Sequence, residues 1–162
     1  MDEKEYYDIS ELSDVRDESD QLVVYVDGSY DHSIKRYAYG CVYLTPEGEL
    51  HTEYGGDSKE EVAASRNVSG EMLGSMHAVK WCIEKGYKSI KICYDYAGIE
   101  MWATGGWKTK NPLTKMYAEY MKRQMTRVKV TFQKVTAHTG NKYNELADKL
   151  AKEGLLGNSE DK

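Results

Sequence analysis

A chain of 162 residues, 40% of them apolar, is long enough for one domain with its own core. Fourteen tyrosines against two prolines exclude wholesale disorder, and no apolar run approaches the roughly 18–20 residues that span a bilayer. The net charge of −5 argues against a polyanion-binding protein until it is divided: residues 1–20 hold nine acids and two bases, a net of −7, which leaves residues 21–162 at +2.

The expected organisation is an acidic, solvated leader over 1–20, one globular unit over 21–155 and a short polar tail over 156–162. MDEKEYYDIS has neither the basic start nor the apolar stretch of a signal peptide. Cys41, Cys82 and Cys93 form no CxxC pair and read as reduced, buried thiols of a cytoplasmic protein.

From Gln21 the pattern changes. QLVVYVDG is a short apolar strand closed by an Asp-Gly turn signal; RYAYGCVYLT is a second strand; PEGE turns into a third, LHTEYGG. Two successive hairpin links predict an antiparallel meander. SGEMLGSMHAVKWCIEKG is helical, with Met72, Leu73, Met76, Val79, Trp81 and Ile83 as its apolar stripe, Ser69 as N-cap and Gly86 as stop. KSIKICYDY alternates as a strand, AGIEMWAT is a short helix, GGWKTKNP a loop and LTKMYAEYMKRQM a further helix. RVKVTFQKV is the fifth strand, and NELADKLAKEGL closes the chain as a helix. The order β-β-β-α-β-α-α-β-α predicts an α/β fold, a mixed five-stranded sheet with helices packed on it.

The acids at the ends of these elements carry the chemistry. Asp27 ends the first strand and Asp95 the fourth; parallel neighbours would bring both out at one sheet end, where open α/β sheets place ligands. Glu71 lies in the first turn of the long helix, with Gly74 and Ala78 small enough to let that face approach the sheet. Asp148 stands four residues after Asn144 on one face of the last helix. Singly, each acid has an ordinary reading: a turn aspartate, a charge near a helix N-terminus, a solvated helix residue. Gathered, like charges raise one another's pKa and oppose folding unless a cation joins them. Oxygen ligands without clustered His or Cys favour a hard divalent ion over zinc. Two Mg²⁺ ions about 4 Å apart would activate water for in-line attack on a phosphodiester.

With these elements in place, VVYVDGSY, ASRNVSGEMLGSMHAV, IKICYDYAGIEMW and VTAHTGNKYNELADKLAKEG resemble, in order, the motifs of the type 1 ribonuclease H family over 21–155. YDYAGIEMWATGGWK resembles the branch, common in Gram-positive bacteria, in which a small hybrid-binding domain precedes the nuclease; residues 1–20 stand where its linker would be. The resemblance implies a metal-dependent, monomeric endonuclease that cuts the RNA strand of RNA–DNA hybrids to 5′-phosphate and 3′-hydroxyl ends, with no membrane partner. It implies Asp27, Glu71, Asp95 and Asp148 as ligands of two Mg²⁺ ions, for which Mn²⁺ can substitute. His138 matches a mobile-loop histidine that moves protons or helps product leave. Ser29, Asn67 and Asn144 match substrate-contacting or supporting positions. The family's basic protrusion is shortened here to ATGGWKTKNP, where Trp102, Trp107, Lys108 and Lys110 have either a DNA-strand or a packing role. Tyr96 replaces the small polar residue usual after the fourth-strand aspartate.

Overall fold

The computed structural model describes residues 4–12, 15–16, 18–59, 65–136 and 140–159. Its elements are β1 (Glu5–Tyr6), a 3-10 turn (Ile9–Leu12), β2 (Leu22–Asp31), β3 (Arg36–Leu44), β4 (Glu49–Asp57), α1 (Asn67–Glu84), β5 (Ser89–Tyr94), α2 (Gly98–Thr104), α3 (Pro112–Gln124), β6 (Lys129–Lys134) and α4 (Lys142–Gly154). The sheet runs β1-β4-β3-β2-β5-β6. β2, β3 and β4 form the antiparallel meander, while β5 joins β2 and β6 joins β5 in parallel. The predicted α/β class and strand order hold, with one strand more than expected.

That extra strand comes from the leader. Glu5 and Tyr6 pair with Leu50 and Glu49 on the edge of β4, and Leu12 is 1% exposed within a core cluster. Charge alone pointed to a solvated tail. Tyr7, Leu12 and Val15 nevertheless supply apolar surface that packs under the sheet, and burial of that surface outweighs the acids around it.

Two cores flank the sheet. On one face α1, α2 and α3 pack on Leu22, Val24, Val26, Ile90 and Ile92; on the other, α4 and the leader cover Val23, Tyr25, Val42, Leu44 and Cys93. Alternate residues of β2 serve opposite cores, as a two-residue period requires. Cys41, Cys82 and Cys93 are buried and free, as expected. Among the described residues no helix is long and apolar enough to cross a membrane.

Two local expectations are corrected. Asp-Gly is not a turn: β2 runs through Gly28 to Asp31, because Asp27 and Gly28 stay paired with Gly40 and Tyr39 of β3. Ser69 is not the N-cap of α1, which starts at Asn67 after Arg66 (φ 56°) and has no side-chain cap; Ser69 is buried in its first turn, where close packing on the sheet sets the helix start. Gly86, at φ 83°, stops that helix as predicted, its N–H reaching the Ile83 carbonyl.

The exposed edge of β4 is covered in two pieces. β1 pairs with residues 49–50, and the segment after α4 returns to residues 54–56. There Ser159 N–H donates to the Tyr54 carbonyl (2.8 Å), Tyr54 N–H to Ser159 Oγ (3.0 Å) and Gly56 N–H to Asn158 Oδ1 (2.9 Å).

Candidate active site

The parallel register of β2 and β5 pairs Val23 with Lys91 and Tyr25 with Cys93, so Asp27 and Asp95 follow as neighbours on the face that α4 covers. Glu71 arrives from the opposite face, on the first turns of α1. Its approach depends on two glycines. A Cβ on Gly28 would lie 2.1 Å from the Asn67 carbonyl oxygen and 2.6 Å from Glu71 N; one on Gly70 would lie 1.9 Å from the Ala38 carbonyl oxygen. The expectation that Gly74 and Ala78 admit the helix was incomplete, since the closest approach is at its first turn.

Glu71 is 3% exposed, and both carboxylate oxygens accept backbone hydrogen bonds: Oε2 from Asp95 N (2.9 Å) and Oε1 from Tyr96 N (3.2 Å). Burial, reinforced by the charges of Asp27 and Asp95, pushes its pKa to about 8 despite those amides. Burial likewise raises Asp27 to about 7, with Asp148 and Asp95 adding to the rise while the Gly28 amide (2.8 Å) opposes it. Asp27 therefore feels Asp148 and Asp95, and Glu71 feels Asp27 and Asp95.

A cleft of about 320 Å³ opens here, lined by Asp27, Gly28, Asn67, Val68, Glu71, Asp95, Tyr96, Ala97 and Lys134. Asp148 stands beside Asp27 rather than on the cleft wall and pairs with Lys152 at 3.1 Å. Asn67 is exposed at the mouth. Ser29 lies two residues beyond Asp27 on β2, and Asn144 is 6% exposed on the inner face of α4. His138 lies outside the described residues. Lys134, the last residue of β6 and paired with Tyr94, was not anticipated; only its place at the end of the strand beside the one that leads to Asp95 could have indicated it.

A second hollow of about 530 Å³ is lined by Trp102, Gly106, Trp107, Lys108, Lys110, Asn111 and Thr114. Tyr96 links the two, its ring 5.7 Å from that of Trp102 and 6.2 Å from that of Trp107.

The donors suit a hard divalent cation in kind: they are carboxylate oxygens, buried at Glu71 and partly buried at Asp27, Asp95 and Asp148. Among the described residues no three His, Cys, Asp or Glu side chains form a ready-made metal cage.

The family described as RNase H matches residues 19–156. Ribonuclease H of Prosthecochloris aestuarii is 24% identical over 148 residues, covering 85% of this chain and 97% of that protein. The ribonuclease H1 of the halophilic archaeon Halobacterium salinarum superposes with a TM-score of 0.70 at 22% identity, covering 84% of this chain and 98% of that one. A ribonuclease H1 isolated from compost, solved in complex with an RNA/DNA hybrid, superposes with a TM-score of 0.65 at 16% identity, covering 83% and 99%. The chain belongs to the ribonuclease H family. It is an enzyme with ribonuclease H activity.

Proposed function

We propose that this enzyme is an endonuclease that hydrolyses the RNA strand of RNA–DNA hybrids to 5′-phosphate and 3′-hydroxyl ends, acting as a cytoplasmic monomer with Mg²⁺, or Mn²⁺ in its place. The observation that carries this reading is the convergence of Asp27, Glu71, Asp95 and Asp148 at one sheet end, two of them with raised pKa. The hybrid bound by a relative of the same fold supports the substrate class.

Asp27, Glu71, Asp95 and Asp148 would hold two Mg²⁺ ions, whose chemistry is to activate a water and stabilise the leaving oxygen of a phosphodiester. The chain's own residues do the rest. Gly28 and Gly70 let α1 press Glu71 against the sheet end, and the Asp95 and Tyr96 amides hold its carboxylate in place. Asn67 and Ser29 contact the hybrid backbone near the cut, Asn144 supports the site, and His138 moves a proton or helps product leave. RNA is distinguished from DNA through its 2′-hydroxyls. Trp102, Trp107, Lys108 and Lys110, around the hollow that Tyr96 joins to the cleft, receive the DNA strand.

The test uses 5′-labelled RNA paired with DNA, paired with RNA, and single-stranded, each with Mg²⁺ and with EDTA. Cutting of the hybrid alone, abolished by EDTA, is the expected result. Asp95→Asn should abolish cutting while hybrid binding persists in Ca²⁺; full turnover by that variant would overturn the metal assignment.

A further inference from the structure

The family match begins at residue 19, yet Glu5, Tyr6, Tyr7, Leu12 and Val15 before it are built into the domain. Leu12 is 1% exposed against the core that α4 closes. Around it the leader meets one residue of α4 in two ways. The Tyr7 ring stands edge-on to Tyr143, centroids 6.3 Å apart, and Glu11 Oε2 accepts a hydrogen bond from the Tyr143 hydroxyl at 3.1 Å. The same carboxylate oxygen pairs with Lys142 Nζ at 2.8 Å.

These contacts fall on the helix turn that presents the last part of the site. Asn141 caps α4, its Oδ1 accepting from the Tyr143 and Asn144 amides at 3.0 Å each, and its Nδ2 donates to the Tyr25 hydroxyl at 3.4 Å. Tyr143 is 5% exposed, with its ring tilted over Tyr25 at 5.8 Å. One residue further on is Asn144; one turn beyond that is Asp148, the neighbour of Asp27. A negative charge at this helix end also complements the helix dipole. The first turn of α4 is thus gripped from the sheet by Tyr25 and from the leader by Tyr7 and Glu11.

We propose that the leader segment 7–12 is a brace for α4, with Glu11 and Tyr143 as positioning residues that set where Asn144 and Asp148 stand relative to Asp27. The proposal rests on the reading of Asp148 as part of the hybrid-cutting site. Its effect is one of placement: a carboxylate displaced by a fraction of an ångström weakens the reacting geometry while substrate still binds.

The experiment uses the full chain with Tyr143→Phe, Glu11→Ala, their double variant and Glu11→Gln. Hybrid cleavage gives kcat and KM, hydrogen exchange is followed over residues 141–149 without substrate, and Tm is measured. Tyr143→Phe removes the hydroxyl and keeps the ring packing; Glu11→Gln keeps an acceptor and removes the charge. Tyr143→Phe and Glu11→Ala should each lower kcat about three- to tenfold at constant KM and speed exchange over 141–149, with the double variant no worse than the poorer single. Glu11→Gln should restore most of kcat. Unaltered exchange overturns the brace whatever the activity, and so does a kcat within about twofold of the parent when the parent cuts hybrids. Should the parent itself fail to cut, faster exchange in the variants would sustain the brace and retire the substrate reading alone.

Discussion

Two acids that meet the same helix, Glu71 on the first turns of α1 and Glu53 on β4 against His77 of α1, are both drawn into the fold, and their pKa values move in opposite directions. Burial pushes Glu53 up, but His77, Tyr43 and Tyr39 together hold it below the ordinary carboxylate range. The Tyr43 hydroxyl donates to Oε1 at 2.6 Å, the Tyr39 hydroxyl to Oε2 at 2.9 Å, and His77 Nδ1 lies 3.1 Å from Oε2 while its ring stacks on Tyr39 at 4.7 Å. Glu71 has two backbone amides and, against them, Asp27 and Asp95. Where a partly buried acid serves the protein's own packing, as Glu53 does, it is surrounded with donors. At the sheet end the charged neighbours that act on Glu71 are other acids, and the proposed cation would relieve that repulsion.

The largest expected effect breaks the comparison at its functional end. Glu71→Gln should reduce hybrid cleavage by at least about a thousandfold in a Mg²⁺ assay, whereas Glu53→Ala should leave kcat near that of the parent. Equal losses would mean that the two acids are not differently employed.

Stability should respond in the reverse order. Glu53→Ala strands the buried Tyr43 hydroxyl and should cost about 1–3 kcal/mol in urea unfolding near neutral pH. Because the folded pKa of Glu53 is depressed, its contribution is present above the ordinary carboxylate pKa and lost as pH falls through the folded value. The cost of the substitution should therefore shrink in acid.

Asp27 has the opposite sign. Its folded pKa is raised to about 7, so its contribution is full below the ordinary value and disappears as pH rises through the folded one. In EDTA, Asp27→Asn should stabilise the protein by about 1–3 kcal/mol at about pH 8.5 and change little at about pH 4.5. Added Mg²⁺ should remove that advantage at the higher pH. A variant no more stable than the parent at alkaline pH would show that Asp27 is not electrostatically strained.

The smallest effect concerns Lys152, whose pair with Asp148 is exposed and one helical turn apart. Lys152→Ala should change stability by less than about 0.5 kcal/mol, measured by thermal unfolding.

Much of this site was legible because its acids sit at defined phases of periodic elements. Two strands with a two-residue period, placed side by side in parallel, put Asp27 and Asp95 together; the helical period put Asp148 above Asn144. The close approach of α1 was less legible. Gly28 follows an aspartate and reads as a turn, and only the tertiary structure reveals that it leaves room for the backbone of residues 67–71. The docked leader was hidden for a different reason: Tyr7, Leu12 and Val15 follow neither helical nor strand spacing, while nine acids dominate the segment. Its hydrophobic contribution depends on a gap beside α4 that local patterning does not encode.

The split covering of β4 bears on how the protein behaves at high concentration. Unpaired strand edges invite other chains to continue the sheet. A version shortened past Tyr6 would bare residues 49–50, and one ending before Asn158 would bare Tyr54 to Gly56, next to a stretch whose outer edge has no cover among the described residues. Either cut would lengthen the open part of that border into a template for edge-to-edge pairing, so these few residues guard the sheet against self-association.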